Sequence, residues 1–223
     1  MNVLLLHALP LNERMWEPQL DAFHDHEVHA PKLYRLGNSM DAWAERVLSD
    51  LEGRFVACGA SMGGYCALAL ARLAPDRVAG LVLAGARIEA DSPERREGRA
   101  ATIELIRSGG TEAMWEDMRP KLFPPDADAR LVERAREIAL EQTPAELVSG
   151  VEAIRDRPDS TAVVAKLDVP VLHAVGEHDP FVSPAEAETY PGRLETFEDT
   201  GHLLTMQRPE RFNRLLLDLL ERI

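Results

Sequence analysis

Short apolar runs alternate along this chain with segments in which apolar positions recur every three or four residues. The runs at residues 3–6, 27–30, 54–58, 80–84, 171–175 and 193–197 predict strands, and helical periodicity predicts helices over 40–51, 62–73, 185–190 and 209–223. Most of the strand runs are rich in Val and Leu without clean alternation, as strands covered on both faces are. In the last helix Phe212, Leu215, Leu216, Leu219, Leu220 and Ile223 fall on one face, which must pack on the sheet. Alternation of strand and helix predicts an α/β fold, with a mostly parallel sheet of about six strands and helices on both faces.

The alternation stops after Ala84 and resumes near Val169, leaving roughly eighty residues that read as successive helices. We expect a helical cap over 87–166 inserted into a core made of 1–86 and 167–223. Helix starts are written into that insertion: Ser92-Pro93 and Thr143-Pro144 each place a capping hydroxyl before a proline suited to the first turn, and Glu146 completes a capping box with Thr143. Leu131, Ala135, Ile138, Ala139 and Gln142 mark the inner face of one cap helix. Met114, Trp115, Met118 and Leu122 mark that of another.

At 223 residues, 45% hydrophobic and 28% charged, the composition fits one globular domain with an insertion. A net charge of -13 repels polyanions, which argues against nucleic acid or an anionic membrane as partner. No basic flank and long apolar core mark a signal peptide, and no apolar run reaches the 18 or so residues of a membrane span, so the expected setting is the cytoplasm. Cys58 and Cys66 match no disulfide or metal pattern and are expected to be buried thiols.

Chemistry concentrates at Gly59-Ala60-Ser61-Met62-Gly63, a Gly-x-Ser-x-Gly turn between a buried strand and an alanine-rich helix. Such a turn lifts the serine hydroxyl above the sheet, and the small residues two before and two after let strand and helix approach. A phosphate-binding loop would need a Lys after the glycines, and a dinucleotide site a Gly-x-Gly-x-x-Gly spacing. Both are absent.

Serine needs an imidazole to take its proton and a carboxylate to orient that imidazole. His202 follows the last predicted strand in Asp199-Thr200-Gly201-His202 and is the expected base. Asp179, after the preceding strand in Gly176-Glu177-His178-Asp179-Pro180, is the expected acid, with Glu177, Glu89 and Asp91 as alternatives. The oxyanion hole is expected from the N–H of Met62 and from a second donor in His7-Ala8-Leu9-Pro10, where Pro10 has no N–H and, of the two residues that remain, resemblance to related sequences favours Leu9. His7 is expected to order that loop by hydrogen bonding rather than to act as a base. The His/Asp-rich stretch with Asp21, His24, Asp25, His26 and His29 lacks metal-ligand spacing, and no metal or cofactor is expected.

These motifs, with Leu-Leu-Leu-His-Ala-Leu-Pro followed by Trp16, resemble the α/β-hydrolase superfamily, and most closely its small cytosolic ester and lactone hydrolases such as 3-oxoadipate enol-lactonase and the biotin-pathway carboxylesterase. The resemblance implies a serine hydrolase acting on a small carboxylic ester, lactone or thioester through an acyl-enzyme. It also implies that the sheet starts at what is usually the family's third strand. Two other readings keep the motifs: a triad-dependent lyase or carbon–carbon hydrolase, and a ligand-binding module without turnover. Ala8 stands where the family's oxyanion loop usually has glycine, which would restrict the backbone there. Substrate is expected between the sheet's C-terminal edge and the cap, with Met114, Trp115 and Met118 as lining residues and Arg87 facing a substrate carboxylate.

Overall fold

The structure, a computed structural model, describes residues 1–223. Six strands form one sheet: β1 (Asn2–Leu6), β2 (Glu27–His29), β3 (Phe55–Ala60), β4 (Val78–Ala84), β5 (Val171–Gly176) and β6 (Arg193–Phe197). Their spatial order is β2-β1-β3-β4-β5-β6, and every neighbouring pair is parallel. The chain runs outward from β1 to β2 and then crosses back to β3 on the other side of β1. The loops leaving β1 and β3 therefore diverge, and a crevice opens at their carboxyl ends. Leu6 is level with Gly59 and Ala60 with Ala84, so the ends of β1, β3 and β4 share one edge.

Alternate side chains divide the sheet into two apolar faces. Leu4, Leu6, Ala57, Leu81 and Leu83 pack with helices α1 (Met40–Asp50) and α2 (Met62–Leu73), while Val3, Leu5, Val56, Cys58 and Val82 pack with Trp16, Phe23 and Phe212. Between β4 and β5 lie α3 (Pro93–Leu122), α4 (Ala129–Leu140) and α5 (Pro144–Arg155). Their buried side chains join the same two clusters: Ile106, Leu147 and Val151 enter the first, Leu122, Ala135 and Ile138 the second. This helical segment therefore packs as one body with the sheet. The backbone of α3 breaks at Gly110, whose φ of 72° and ψ of -162° are open to glycine but strained for other residues.

Two helix lengths differ from the sequence expectation. The helix expected over 185–190 is the short turn Pro184–Ala187, because Pro191 follows and disfavours helical backbone at Tyr190. The last helix, α6 (Pro209–Leu220), stops before Ile223. No helix is long and apolar enough to cross a membrane.

Candidate active site

Ser61 sits between β3 and α2 with φ 49° and ψ -111°, outside the conformations that side chains normally adopt. Two glycines make this bend possible. A Cβ at Gly59 would lie 2.3 Å from the Gly63 backbone, and one at Gly63 would lie 2.0 Å from the carbonyl oxygen of Leu6. The Ser61 N–H donates to the Ala84 carbonyl at 2.7 Å, which ties the bend to the end of β4. Serine at a helix start normally accepts a hydrogen bond from its own first turn. The Ser61 side chain makes no such bond, so its hydroxyl is left available.

Asp179 and His202 are both buried, and His202 Nδ1 lies 2.7 Å from Asp179 Oδ2. An ionised carboxylate can only accept, so Nδ1 carries the proton and Nε2 is left as a base. Asp179 Oδ1 accepts from the N–H groups of Phe181 at 2.8 Å and Val182 at 3.2 Å, which fixes the carboxylate's orientation. The two loops are stitched together: the N–H groups of Glu177 and His178 donate to the Phe197 and Thr200 carbonyls, and a Cβ at Gly176 would lie 2.1 Å from the Gly201 oxygen. From the other side the N–H of His202 donates to the carbonyl of Leu122, at the end of α3.

One dipeptide at the end of β4 touches all three groups. Ala84 accepts from Ser61, and next to it Gly85, with φ 62°, would place a Cβ 2.9 Å from Asp179 Oδ2 and 3.0 Å from the His202 ring. A side chain at Gly85 would push the imidazole away. The alternative acids are spoken for. Glu177 accepts from the Asp199 N–H, Glu89 from the Tyr190 hydroxyl, and Asp91 lies between Arg99 and Arg157. Asp179 is the expected acid that meets His202.

Met62 is the first residue of α2, where backbone N–H groups have no acceptor within the helix, and the helix dipole favours negative charge. Leu9 is nearly buried beside it, and a Cβ at Gly150 of α5 would contact both, 3.2 Å from Leu9 Cδ1 and 3.3 Å from Met62 Sδ. Ala8 costs the loop nothing in backbone strain, since Ser61 and Asp199 are the non-glycine residues with positive φ. Its N–H instead points to Met15 Sδ at 3.2 Å. His7 orders the loop: Nε2 accepts from the Leu33 N–H at 2.9 Å and Nδ1 faces the Ala8 carbonyl at 3.2 Å. Burial lowers its pKa to about 4, so the ring is neutral.

A cavity of about 380 Å³ opens above Ser61, lined in part by Leu9, Tyr65, Met118 and Phe181. The Phe181 ring packs on that of His202, centroids 4.5 Å apart. Of the three cap residues expected to line the pocket, Met118 does so. Met114, one turn earlier, is covered by the first apolar cluster, and Trp115 is buried in the second, so neither reaches the cavity. Arg87 lines the cavity, but the carboxylate it meets belongs to the protein. Its guanidinium pairs with Glu186 and donates from Nε to the Phe181 carbonyl at 2.7 Å. It thereby fastens the loop that carries Asp179. In the His/Asp-rich stretch, His24 lies 3.4 Å from Asp25, both exposed, and the half-buried His29 lies 3.3 Å from Glu27. Cys58 and Cys66 are buried, and burial pushes both thiols up.

Sequence reasoning missed the polar cluster of Asp91, Arg99 and Arg157 and the contact of Phe181 with His202. A signal for the first was present, because Arg95, Arg99 and Thr102 recur at helical spacing on one face of α3.

Comparison with known proteins matches residues 3–215 to the alpha/beta hydrolase family. A pimeloyl-[acyl-carrier protein] methyl ester esterase from Aromatoleum aromaticum is 31% identical, the match spanning 94% of each chain. One from Nitrosomonas europaea is 26% identical over 95% of this chain and 92% of its own. Among solved structures, a thermophilic esterase from Thermogutta terrifontis superposes with a TM-score of 0.92 at 32% identity, covering 100% of this chain and 90% of its own. The enol-lactonase from Burkholderia xenovorans LB400 gives 0.82 at 26% identity, covering 99% and 91%. With its elbow serine, its buried His–Asp pair and a family match over nearly its whole length, this chain belongs to the alpha/beta hydrolase family.

Proposed function

We propose that the protein hydrolyses a small carboxylic ester, lactone or thioester through an acyl-enzyme on Ser61. Ser61 Oγ attacks the carbonyl carbon while His202 Nε2 takes the hydroxyl proton. Asp179 holds the imidazole in the right tautomer and stabilises the imidazolium that forms. The negative charge that develops on the carbonyl oxygen meets the N–H groups of Met62 and Leu9, each such donor being worth about 3 kcal/mol in typical acyl-transfer enzymes. The tetrahedral intermediate collapses, His202 returns the proton to the leaving alcohol, and the acyl group stays on Ser61. Water activated by the same imidazole then releases the acid. Residues 87–166 act as the cap that shapes the substrate pocket.

The observation that carries this reading is the free hydroxyl of Ser61 on a strained bend, within one dipeptide's span of a buried His202–Asp179 pair. The names of the relatives, methyl ester esterases and an enol-lactonase, support acyl-ester chemistry on this frame. The test is a panel of aryl esters from acetate to decanoate, with both acid and alcohol quantified. The wild type is expected to release them in equal amounts and Ser61→Ala to release both ~10³-fold more slowly or worse. Equal turnover by the two proteins would overturn the proposal.

A further inference from the structure

The cavity above Ser61 has a cationic wall, although the chain as a whole is strongly acidic. Arg95, Arg99 and Thr102, at positions i, i+4 and i+7 of α3, present one helical face to it, and Lys121 and Arg87 lie around the rim. Two of these charges are neutralised locally. Arg87 pairs with Glu186, and Lys121 lies 2.7 Å from Asp117.

The remainder shares a single carboxylate within ion-pair distance. Asp91 is fully buried, with Oδ1 2.8 Å from Arg157 Nη1 and Oδ2 3.0 Å from Arg99 Nε. Arg157 is itself buried, lies over the ring of Tyr65, which lines the cavity, and donates to the carbonyls of Ile154 and Glu89, so it is fixed in place behind the wall. One carboxylate thus serves two guanidinium groups. Arg99 is held by Nε alone, which leaves both Nη groups unused, and Arg95 has no ion-pair partner. Gly98, between them on the helix, also lines the cavity and adds no side chain to that face. Asp91 fixes the position of Arg99 without cancelling the charge of the cluster.

We infer that this wall is a subsite for an anionic group on the substrate: an ester that also carries a carboxylate or phosphate, held by Arg99 and Arg95 while its carbonyl meets Ser61. The inference rests on the acyl-ester reading of the same site. A volume of about 380 Å³ fits a small substrate with both groups. Planar guanidinium forks suit either anion, so the shared feature is oxygen-borne negative charge.

Two measurements separate this inference from the reading beneath it. The first is kcat/KM for three methyl esters of matched length: the half-ester of pentanedioic acid, a phosphate-terminated counterpart, and a neutral amide-terminated counterpart. The wild type is expected to favour at least one anionic ester over the amide by ~10-fold or more, chiefly through KM, and to lose much of that preference in 0.5 M salt. Arg95→Gln, at an exposed position with no partner to lose, is expected to reduce the preference, and Arg95→Gln/Arg99→Gln to remove it. The second is calorimetric binding of pentanedioate and its diamide to Ser61→Ala, where no turnover is needed. Tighter binding of the dianion is expected, and it should be lost in the Arg95→Gln/Arg99→Gln background. Selective binding without ester turnover would leave the subsite standing and refute the hydrolase. Ester turnover with equal treatment of charged and neutral ligands, or a preference that survives both substitutions, would refute the subsite.

Discussion

Helices α2 and α5 both begin with a hydroxyl residue, and they use it in opposite ways. At the start of α5, Thr143 has extended backbone (φ -83°, ψ 154°), its hydroxyl accepts from the Glu146 N–H at 3.2 Å, and Glu146 reaches back to the Thr143 N–H at 2.8 Å. Ser39 and Ser92 cap their helices in the same manner. At the start of α2, Ser61 is turned to positive φ and its hydroxyl caps nothing. The residue type does not separate these cases; backbone conformation does. Strain of this kind costs on the order of 1–3 kcal/mol and persists only where surrounding structure enforces it. Here the close approach of Gly59 to Gly63, the contact of Gly63 with Leu6 and the bond to Ala84 enforce it. One helix start adds stability, and the other gives some up and leaves its hydroxyl free.

The contrast predicts opposite outcomes for similar substitutions. Ser61→Ala should lower kcat/KM toward an aryl ester by ~10³-fold or more while leaving the thermal midpoint unchanged or higher, because no capping bond is lost. A clear drop in midpoint would mean that the hydroxyl has a structural role after all. Asp179→Asn should lower kcat by ~10²–10⁴-fold, since an amide no longer holds His202 in the tautomer that leaves Nε2 free. Gly63→Ala forces a methyl group into the Leu6 carbonyl and should cost about 3 kcal/mol or more in denaturant unfolding, or abolish folding. A fully folded Gly63→Ala protein would show that the bend is less constrained than described.

Smaller effects belong to the loop and the cap. His7 titrates at about 4 when folded, against roughly 6.5 when unfolded. Between those values the unfolded chain takes up a proton that the native ring refuses. Stability therefore falls as pH drops from about 6.5 to about 4, by on the order of 3 kcal/mol for this group. Burial lowers His173 as well and adds a slope of the same sign, so the difference between wild type and His7→Gln isolates His7. Thr143→Ala should cost about 1 kcal/mol of stability and leave ester turnover intact, the reverse of Ser61→Ala.

Much of this arrangement was legible in the sequence, because it is local. The elbow, the capping box at Thr143 and the six strands are each written within a few neighbouring residues, where periodicity and turn chemistry act directly. Asp179 and His202 could be placed because each follows a recognisable strand, in the chain order of serine, acid and histidine that the family resemblance implies. What was not legible depends on how the cap helices are rotated and where they break. The turn at Gly110 and the packing of α3 against both apolar clusters decide that Met118 faces the cavity while Met114 and Trp115 do not. The pairing of Arg87 with Glu186 spans 99 positions of sequence and is set by the fold alone.

The central claim is that Ser61 is the residue acylated during turnover. Intact-mass analysis and peptide mapping after treatment with a fluorophosphonate test it most directly. We expect a single adduct on the peptide containing Ser61, absent in Ser61→Ala and strongly slowed in His202→Ala. An adduct on another residue, or labelling at an unchanged rate without His202, would contradict the account.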